Sequence, residues 1–149
     1  MKIAIGSDRK TFLTDFVIKD LKKRKYKIGL FGALKTGKKV LWPKVGEEVA
    51  KRVAQKEYNQ GILFCLTGTG ASIVANKIPG IRAALCNDAK TAQRAREWND
   101  ANILVISLRQ TSEILAKEIL DSWFSASFDQ NKKNRLDLLE EIEKRYLKK

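Results

Sequence analysis

Short apolar runs alternate with stretches of helical periodicity along almost the whole chain, and this alternation limits the fold more than any other feature of the sequence. Repeated βα units bury both kinds of apolar surface when parallel strands form one sheet with helices on its two faces. Lys2–Ser7 reads as the first strand, and residues 11–25 as a helix with Phe12, Phe16, Ile18 and Leu21 near one face. Residues 26–30 form the second strand. A Gly- and Lys-rich loop, Phe31 to Trp42, leads to a helix opened by Pro43, in which Val45, Val49 and Val53 recur at every fourth position. Residues 61–65, 82–86 and 103–107 supply the remaining strands, with helices at 69–77 and 88–98 between them. Residues 111–125 form a further helix, with Ile114, Leu115, Ile119 and Trp123 turned inward. The expected architecture is a three-layer α/β/α, Rossmann-like sandwich around a five-stranded parallel sheet, one domain spanning residues 1–149. After a polar break at Asp129 to Asn134, Leu136, Leu139, Ile142 and Tyr146 recur at helical spacing in an otherwise charged segment. Earlier helices already cover the sheet, so this extra C-terminal helix is expected to pack across a subunit interface.

No apolar run approaches the roughly 20 residues that span a bilayer, and the N-terminus lacks the pattern of a signal peptide. A cytoplasmic protein without membrane contact is expected. Cys65 and Cys86 end two separate apolar runs and do not suggest a disulfide scaffold. The chain has no histidine, which removes the usual proton shuttle near neutral pH and the commonest zinc ligand. No metal site is expected. Thirty Lys plus Arg against seventeen Asp plus Glu give a formal charge of +13, a field that attracts phosphorylated metabolites and nucleic acid alike. The charges are spread from Lys19 to Lys149 with no helix-turn-helix, zinc-finger or RNA-binding aromatic pattern, which argues for solvated helix faces rather than a nucleic-acid partner.

Chemistry is densest between Ile62 and Asn102. Cys65 stands at the C-terminal end of a strand, and Leu66-Thr67-Gly68-Thr69-Gly70 breaks the run before a helix begins. In open α/β sheets ligands bind at that edge, because following helices aim unpaired N–H groups there. Gly68 and Gly70 let the backbone approach an anion closely, while Thr67, Thr69 and Ser72 add hydroxyls. Amide donors of this kind favour a thiolate. The cysteine is therefore either a reactive base or a small buried hydrophobe. A nicotinamide-dinucleotide site is a poorer reading, since Gly68-x-Gly70 is followed by Ile73 rather than a third glycine.

The opening Ile3-Ala4-Ile5-Gly6-Ser7-Asp8, the C-x-T-G-x-G-x-S segment at Cys65 to Ser72, A-N-K-x-x-G-I-R-A at Ala75 to Ala83 and N-D-A-N at Asn99 to Asn102 resemble the ribose-5-phosphate isomerase B family, which includes the galactose-6-phosphate isomerase subunits. The resemblance covers nearly the whole chain. It implies an aldose–ketose isomerase that moves a proton through an enediolate, needs no cofactor, and acts on a small phosphorylated sugar such as ribose 5-phosphate. Cys65 matches the family's catalytic base and Thr67 its proton-transfer threonine, with the amides from Leu66 through Gly68 and Thr69 to Gly70 holding the enediolate. Asp8 matches an aspartate that receives substrate hydroxyls, with a helix cap as the competing reading. Arg9 stands where the family has a phosphate-contacting histidine. Asn99 matches a hydroxyl-binding amide, with a helix cap again the alternative. Trp98 replaces a ring-opening histidine and is read either as a sugar-stacking face or as helix packing; Trp42 replaces a tyrosine. Arg109 matches a basic residue that contacts the phosphate end, and Lys132, Lys133 and Arg135 approximate a phosphate clamp that reaches the neighbouring subunit's cysteine site, which implies a homodimer or tetramer with its site at the interface. A second reading is a catalytically weakened phosphosugar-binding subunit that pairs with an active homologue.

Overall fold

The computed structural model describes residues 1–147; Lys148 and Lys149, the last of the basic residues noted above, lie outside the described residues. In chain order the elements are β1 (Lys2–Ser7), α1 (Phe12–Lys23), β2 (Lys27–Gly32), α2 (Ala33–Thr36), α3 (Trp42–Ala54), β3 (Gln60–Cys65), α4 (Thr69–Ala75), β4 (Ala83–Leu85), α5 (Ala89–Asn99), β5 (Ile103–Ser107), α6 (Glu113–Ser125), a 3₁₀ turn (Gln130–Lys132) and α7 (Lys133–Tyr146). The five strands are all parallel and lie in the order β2-β1-β3-β5-β4.

Strand alternation divides the core. Ile3, Ile5, Ile62, Phe64, Leu104 and Ile106 face one side, against α1, α5 and α6. Ala4, Leu63, Cys65, Ile103 and Val105 face the other, against Val45, Val49 and Val53 of α3 and Ala71 and Ala75 of α4. Trp123, fully buried on the first side, keeps its indole N–H satisfied by donating to Gln60 Oε1 at 2.8 Å. From β1 the chain steps outward to β2, then returns to place β3 on the opposite side of β1. The carboxyl ends of β1 and β3 therefore flank the topological switch point, where a crevice opens in such sheets.

Three expectations change in detail. The loop from Phe31 to Trp42 contains the single helical turn α2, too short for periodicity to register. Ile114 is 76 % exposed rather than inward, because α6 buries Ala116, Ile119, Leu120 and Trp123; a two-residue step from Ala116 rotates by about 200° to the far side. Phe12 is likewise exposed, since the inner face of α1 is Leu13, Val17 and Leu21 at i+4 spacing.

Helix α7 contributes no buried residue. Its Leu136, Leu139 and Ile142 line an apolar groove of about 610 Å³ with Ile81, Ala83 and Ala84 beside the edge strand β4, and Glu143 Oε1 accepts from Gly80 N–H at 3.0 Å. Nearby motif residues act structurally. Asn76 pairs twice with the Ala83 backbone at 2.8 and 2.9 Å, Asn102 bridges Arg82 N–H and the Gly80 carbonyl, and Arg82 pairs with Asp100 at 3.1 Å. Among the described residues, no helix is long and apolar enough to cross a membrane, and no group of three His, Cys, Asp or Glu side chains is placed to hold a metal.

Candidate active site

Cys65 ends β3 on the α3/α4 side of the sheet and is 5 % exposed, so bulk water does not surround it. Its environment is apolar except at the sulfur, where Gly68 N–H donates to Sγ at 3.1 Å. The turn that brings this amide round requires glycine: φ at Gly68 is +81°, and a Cβ there would lie 2.4 Å from Leu85 Cδ1. Strand β5 fastens the other side of the turn. Ser107 hydroxyl donates to the Leu66 carbonyl at 3.0 Å, Leu108 N–H to the Cys65 carbonyl at 3.0 Å, and Arg109 N–H to the Leu66 carbonyl at 2.9 Å. The sulfur and the amides beyond it are thus held by two neighbouring strands rather than by the turn alone.

Beyond Gly68 the exposed hydroxyls of Thr67 and Thr69 lie 2.8 Å apart. The Gly68 carbonyl takes Ser72 N–H at 3.1 Å, which leaves the first-turn amides of Thr69, Gly70 and Ala71 without intrahelical acceptors. Trp42, the first residue of α3, rests on Gly70, where a Cβ would meet three indole carbons at 3.0 to 3.1 Å.

That indole connects the Cys65 turn to a hollow of about 550 Å³ lined by Asp8, Arg9, Lys39, Val40, Leu41, Trp42 and Lys44. Asp8 is buried at the end of β1 and pairs with Arg9, Nε to Oδ1 at 3.4 Å and Nη2 to Oδ2 at 3.1 Å. It is not a helix cap: Thr11 caps α1 through a reciprocal box with Thr14. Lys39 and Lys44 are exposed and have no ion-pair partner among the described residues. Arg9, Lys39 and Lys44 against Asp8 give the hollow a surplus of two positive charges. Sequence reasoning passed over these lysines; the Lys38-Lys39 pair just before Trp42 was the available signal.

Trp98 and Asn99 occupy a different hollow, of about 350 Å³, with Ala84, Lys90, Thr91, Arg94 and Ala95. The Arg94 guanidinium lies 4.7 Å from the Trp98 ring centre, a cation–π contact on a half-open indole. Asp100, with φ +44°, rather than Asn99, closes α5, so the Asn99 amide is not a cap and has no hydrogen-bond partner among the described residues. The two hollows share no residue, and neither is lined by Cys65. Within one chain Arg109 and the phosphate-clamp candidates Lys132, Lys133 and Arg135 are also apart from both. Arg109 is exposed after β5, Lys132 precedes α7, and Lys133 and Arg135 sit in its first turn. Lys133 pairs with Asp137 at 2.7 Å, and that hydrogen bond raises its pKa and holds its charge. Ser72 is half-buried on α4.

Cys86 contrasts with Cys65. Burial, then the nearby Asp88 carboxylate, pushes its thiol up to about 12, and among the described residues its one polar contact is Sγ to the Ala84 carbonyl at 3.6 Å. It is a core thiol, packed in the cluster on the α1/α5/α6 side of the sheet.

Comparison with known proteins places this chain among isomerases. Residues 3–139 match the family model described as Ribose/Galactose Isomerase. Ribose-5-P isomerase B of Listeria innocua is 40% identical over 147 residues, covering 97% of this chain and 99% of that protein. D-erythrulose-4-phosphate isomerase of Pectobacterium atrosepticum is 37% identical over 134 residues, 87% of this chain and 86% of that protein. The solved structure of Clostridium thermocellum ribose-5-phosphate isomerase B superposes with a TM-score of 0.92 at 42% identity, covering 99% of this chain and all of that one.

Proposed function

The chain belongs to the ribose/galactose isomerase family, and on that footing we propose that Cys65 is the base in its interconversion of an aldose phosphate and a ketose phosphate. A sugar phosphate isomerase moves one proton between adjacent carbons. The Cys65 thiolate removes the proton from the carbon beside the carbonyl, the electron pair becomes an enediolate, and the same proton or a solvent proton returns to the former carbonyl carbon. No cofactor enters this scheme. Negative charge developing on the enediolate oxygens meets the backbone amides between Leu66 and Gly70, which are fixed before the substrate arrives and so need little reorganisation. Thr67, hydrogen-bonded to Thr69, is placed to relay a proton between those oxygens.

Asp8 accepts a substrate hydroxyl, and Arg9 with Lys39 and Lys44 receives the phosphoryl group, consistent with the cationic hollow they share. Trp98, Asn99, Arg109, Lys132, Lys133 and Arg135 complete the site from a second copy in a homodimer. The unpartnered apolar face of α7 beside β4 supports that assembly. Substrates are ribose 5-phosphate, giving ribulose 5-phosphate, or a related sugar phosphate. A binding-only subunit is the less favoured reading, because relatives matched over nearly their full length bear isomerase names.

The observation that carries the reading is the Gly68 N–H aimed at the Cys65 sulfur. Its test is a turnover screen over four-, five- and six-carbon sugar phosphates with the native chain and Cys65→Ala. Loss of turnover in the variant is expected; undiminished turnover refutes the assigned base.

A further inference from the structure

Helix α5 ends on a backbone that is held from several sides. Asp100 N–H donates to the Arg96 carbonyl at 3.2 Å and Ala101 N–H to the Ala95 carbonyl at 3.0 Å. The Asp100 carboxylate is gripped by Arg82 at 3.1 Å and by Arg96 at 3.2 Å. One turn back, the Glu97 carbonyl accepts Asp129 N–H at 2.9 Å, which ties the approach to Lys132, Lys133 and Arg135 to the same stretch of helix. The main chain at Trp98 is thereby fixed, and the freedom that remains at this position is that of the indole.

That freedom is restrained by one side chain. Arg94 stands one turn before Trp98, at the i, i+4 spacing that brings two side chains together on a helix face. Its guanidinium lies over the indole, 4.7 Å from the ring centre. The cation is itself anchored: Nη1 donates to Glu97 Oε2 at 2.7 Å, and Gln93 Nε2 donates to the other oxygen, Oε1, at 2.7 Å. Gln93, Glu97 and Arg94 thus form a brace whose far end is the ring. An ion pair this open to water adds little stability of its own, so folding alone gives no reason for the brace. The brace covers one face of an exposed indole that lines a hollow together with Asn99.

Resting on the isomerase reading above, in which Trp98 and Asn99 meet the substrate across the subunit boundary, the geometry points to Arg94 as a positioning residue. Braced by Glu97, it holds the Trp98 indole so that the uncovered face is offered to the carbon skeleton of the bound sugar, with the Asn99 amide in the same hollow for a hydroxyl. Arg94 acts through the indole and exchanges no proton. Without its guanidinium the ring is free to turn about its side-chain bonds, and binding must then select the stacking orientation at a cost in affinity. Stacking on the carbon skeleton is the same before and during proton transfer, so its loss falls on KM rather than on kcat.

The test is a double-mutant cycle of Arg94→Met and Trp98→Ala, with the fold of each variant checked by circular dichroism. KM and kcat are measured on whichever of D-erythrose 4-phosphate, D-ribose 5-phosphate and D-galactose 6-phosphate the native chain converts fastest. Arg94→Met is expected to raise KM about three- to fivefold with kcat within about twofold of native. Trp98→Ala should raise KM further, and the double variant should match Trp98→Ala. A KM rise of equal size when Arg94→Met is added to Trp98→Ala means that Arg94 acts on the substrate directly, and it overturns the inference. An unchanged KM in Arg94→Met, or a loss confined to kcat, overturns it as well. All three of these outcomes leave the isomerase reading intact. An unmoved KM in Trp98→Ala withdraws Trp98 from the site and this inference with it, while a native chain that converts none of the three sugar phosphates overturns the isomerase reading itself.

Discussion

Replacing Gly68 by alanine separates the cost of a strained turn from the cost of disturbing the sulfur's amide. The left-handed φ of +81° costs an L-residue about 1–2 kcal/mol. The new methyl would also lie 2.4 Å from Leu85 Cδ1 and 3.5 Å from Ser107 N, and relieving such overpacking costs about 1–3 kcal/mol. The sum is about 2–5 kcal/mol, on the order of a 10 °C fall in Tm for a chain of this length. Gly37 is the internal control. Its φ is +75°, but nothing lies within 4 Å of an added Cβ, so Gly37→Ala should cost only the conformational part, about 1–2 kcal/mol. Relief of the clash must move the turn off β5, which takes Gly68 N–H away from Cys65; a shift of that kind should lower kcat by about 100-fold. Urea unfolding and isomerase assays on both variants provide the check. Equal destabilisation of the two, with Gly68→Ala retaining native kcat, would refute the account of how the turn is built and used.

Other expectations are more local. Cys86→Ala should leave kcat unchanged, and in the native chain Cys86 should resist iodoacetamide at pH 8 until unfolding exposes it; because its folded pKa is raised, native stability should decline as pH climbs from the ordinary thiol range toward about 12, and this variant should flatten that decline in alkaline unfolding curves. Asp88→Ala should cost about 1 kcal/mol through loss of the α5 cap. The Asp88 carboxylate is held below its usual range mainly by Thr91 N–H, so its contribution is present above the ordinary carboxylate pKa and lost as pH falls through the lower folded value; native and variant melting curves should converge there. Leu139→Asp places a charge in the groove between α7 and β4 and should shift sedimentation from dimer to monomer; an unchanged mass would remove that face from the interface.

The sheet was legible because its strands are nearly continuous apolar runs, the signature of burial on both faces. The position of Cys65 followed from that reading, since the Leu66–Gly70 break leaves no other place for the strand to end. Helix faces were less legible where apolar residues exceed what one stripe can bury. Phe12 and Ile114 looked like core but lie off the stripes set by Leu13–Val17–Leu21 and Ala116–Ile119–Trp123. The Asp8–Arg9 pair and the lysines around Trp42 could not be read from spacing, because a one-residue step says nothing about whether neighbouring side chains turn toward each other or which loop folds over them. Nor could spacing separate site from scaffold in the later motifs. Asn76, Arg82 and Asn102 tie the ends of β4 in place, whereas Asn99, one residue from the cap Asp100, has no hydrogen-bond partner for its amide among the described residues.

Proton transfer by Cys65 is most directly examined by running the reaction in deuterium oxide and following the sugar phosphate by proton NMR. The native chain should place solvent deuterium on a reacting carbon, and Cys65→Ala, shown to be folded by circular dichroism, should exchange no faster than the enzyme-free blank. Exchange by Cys65→Ala at the native rate would contradict the claim that this sulfur is the base.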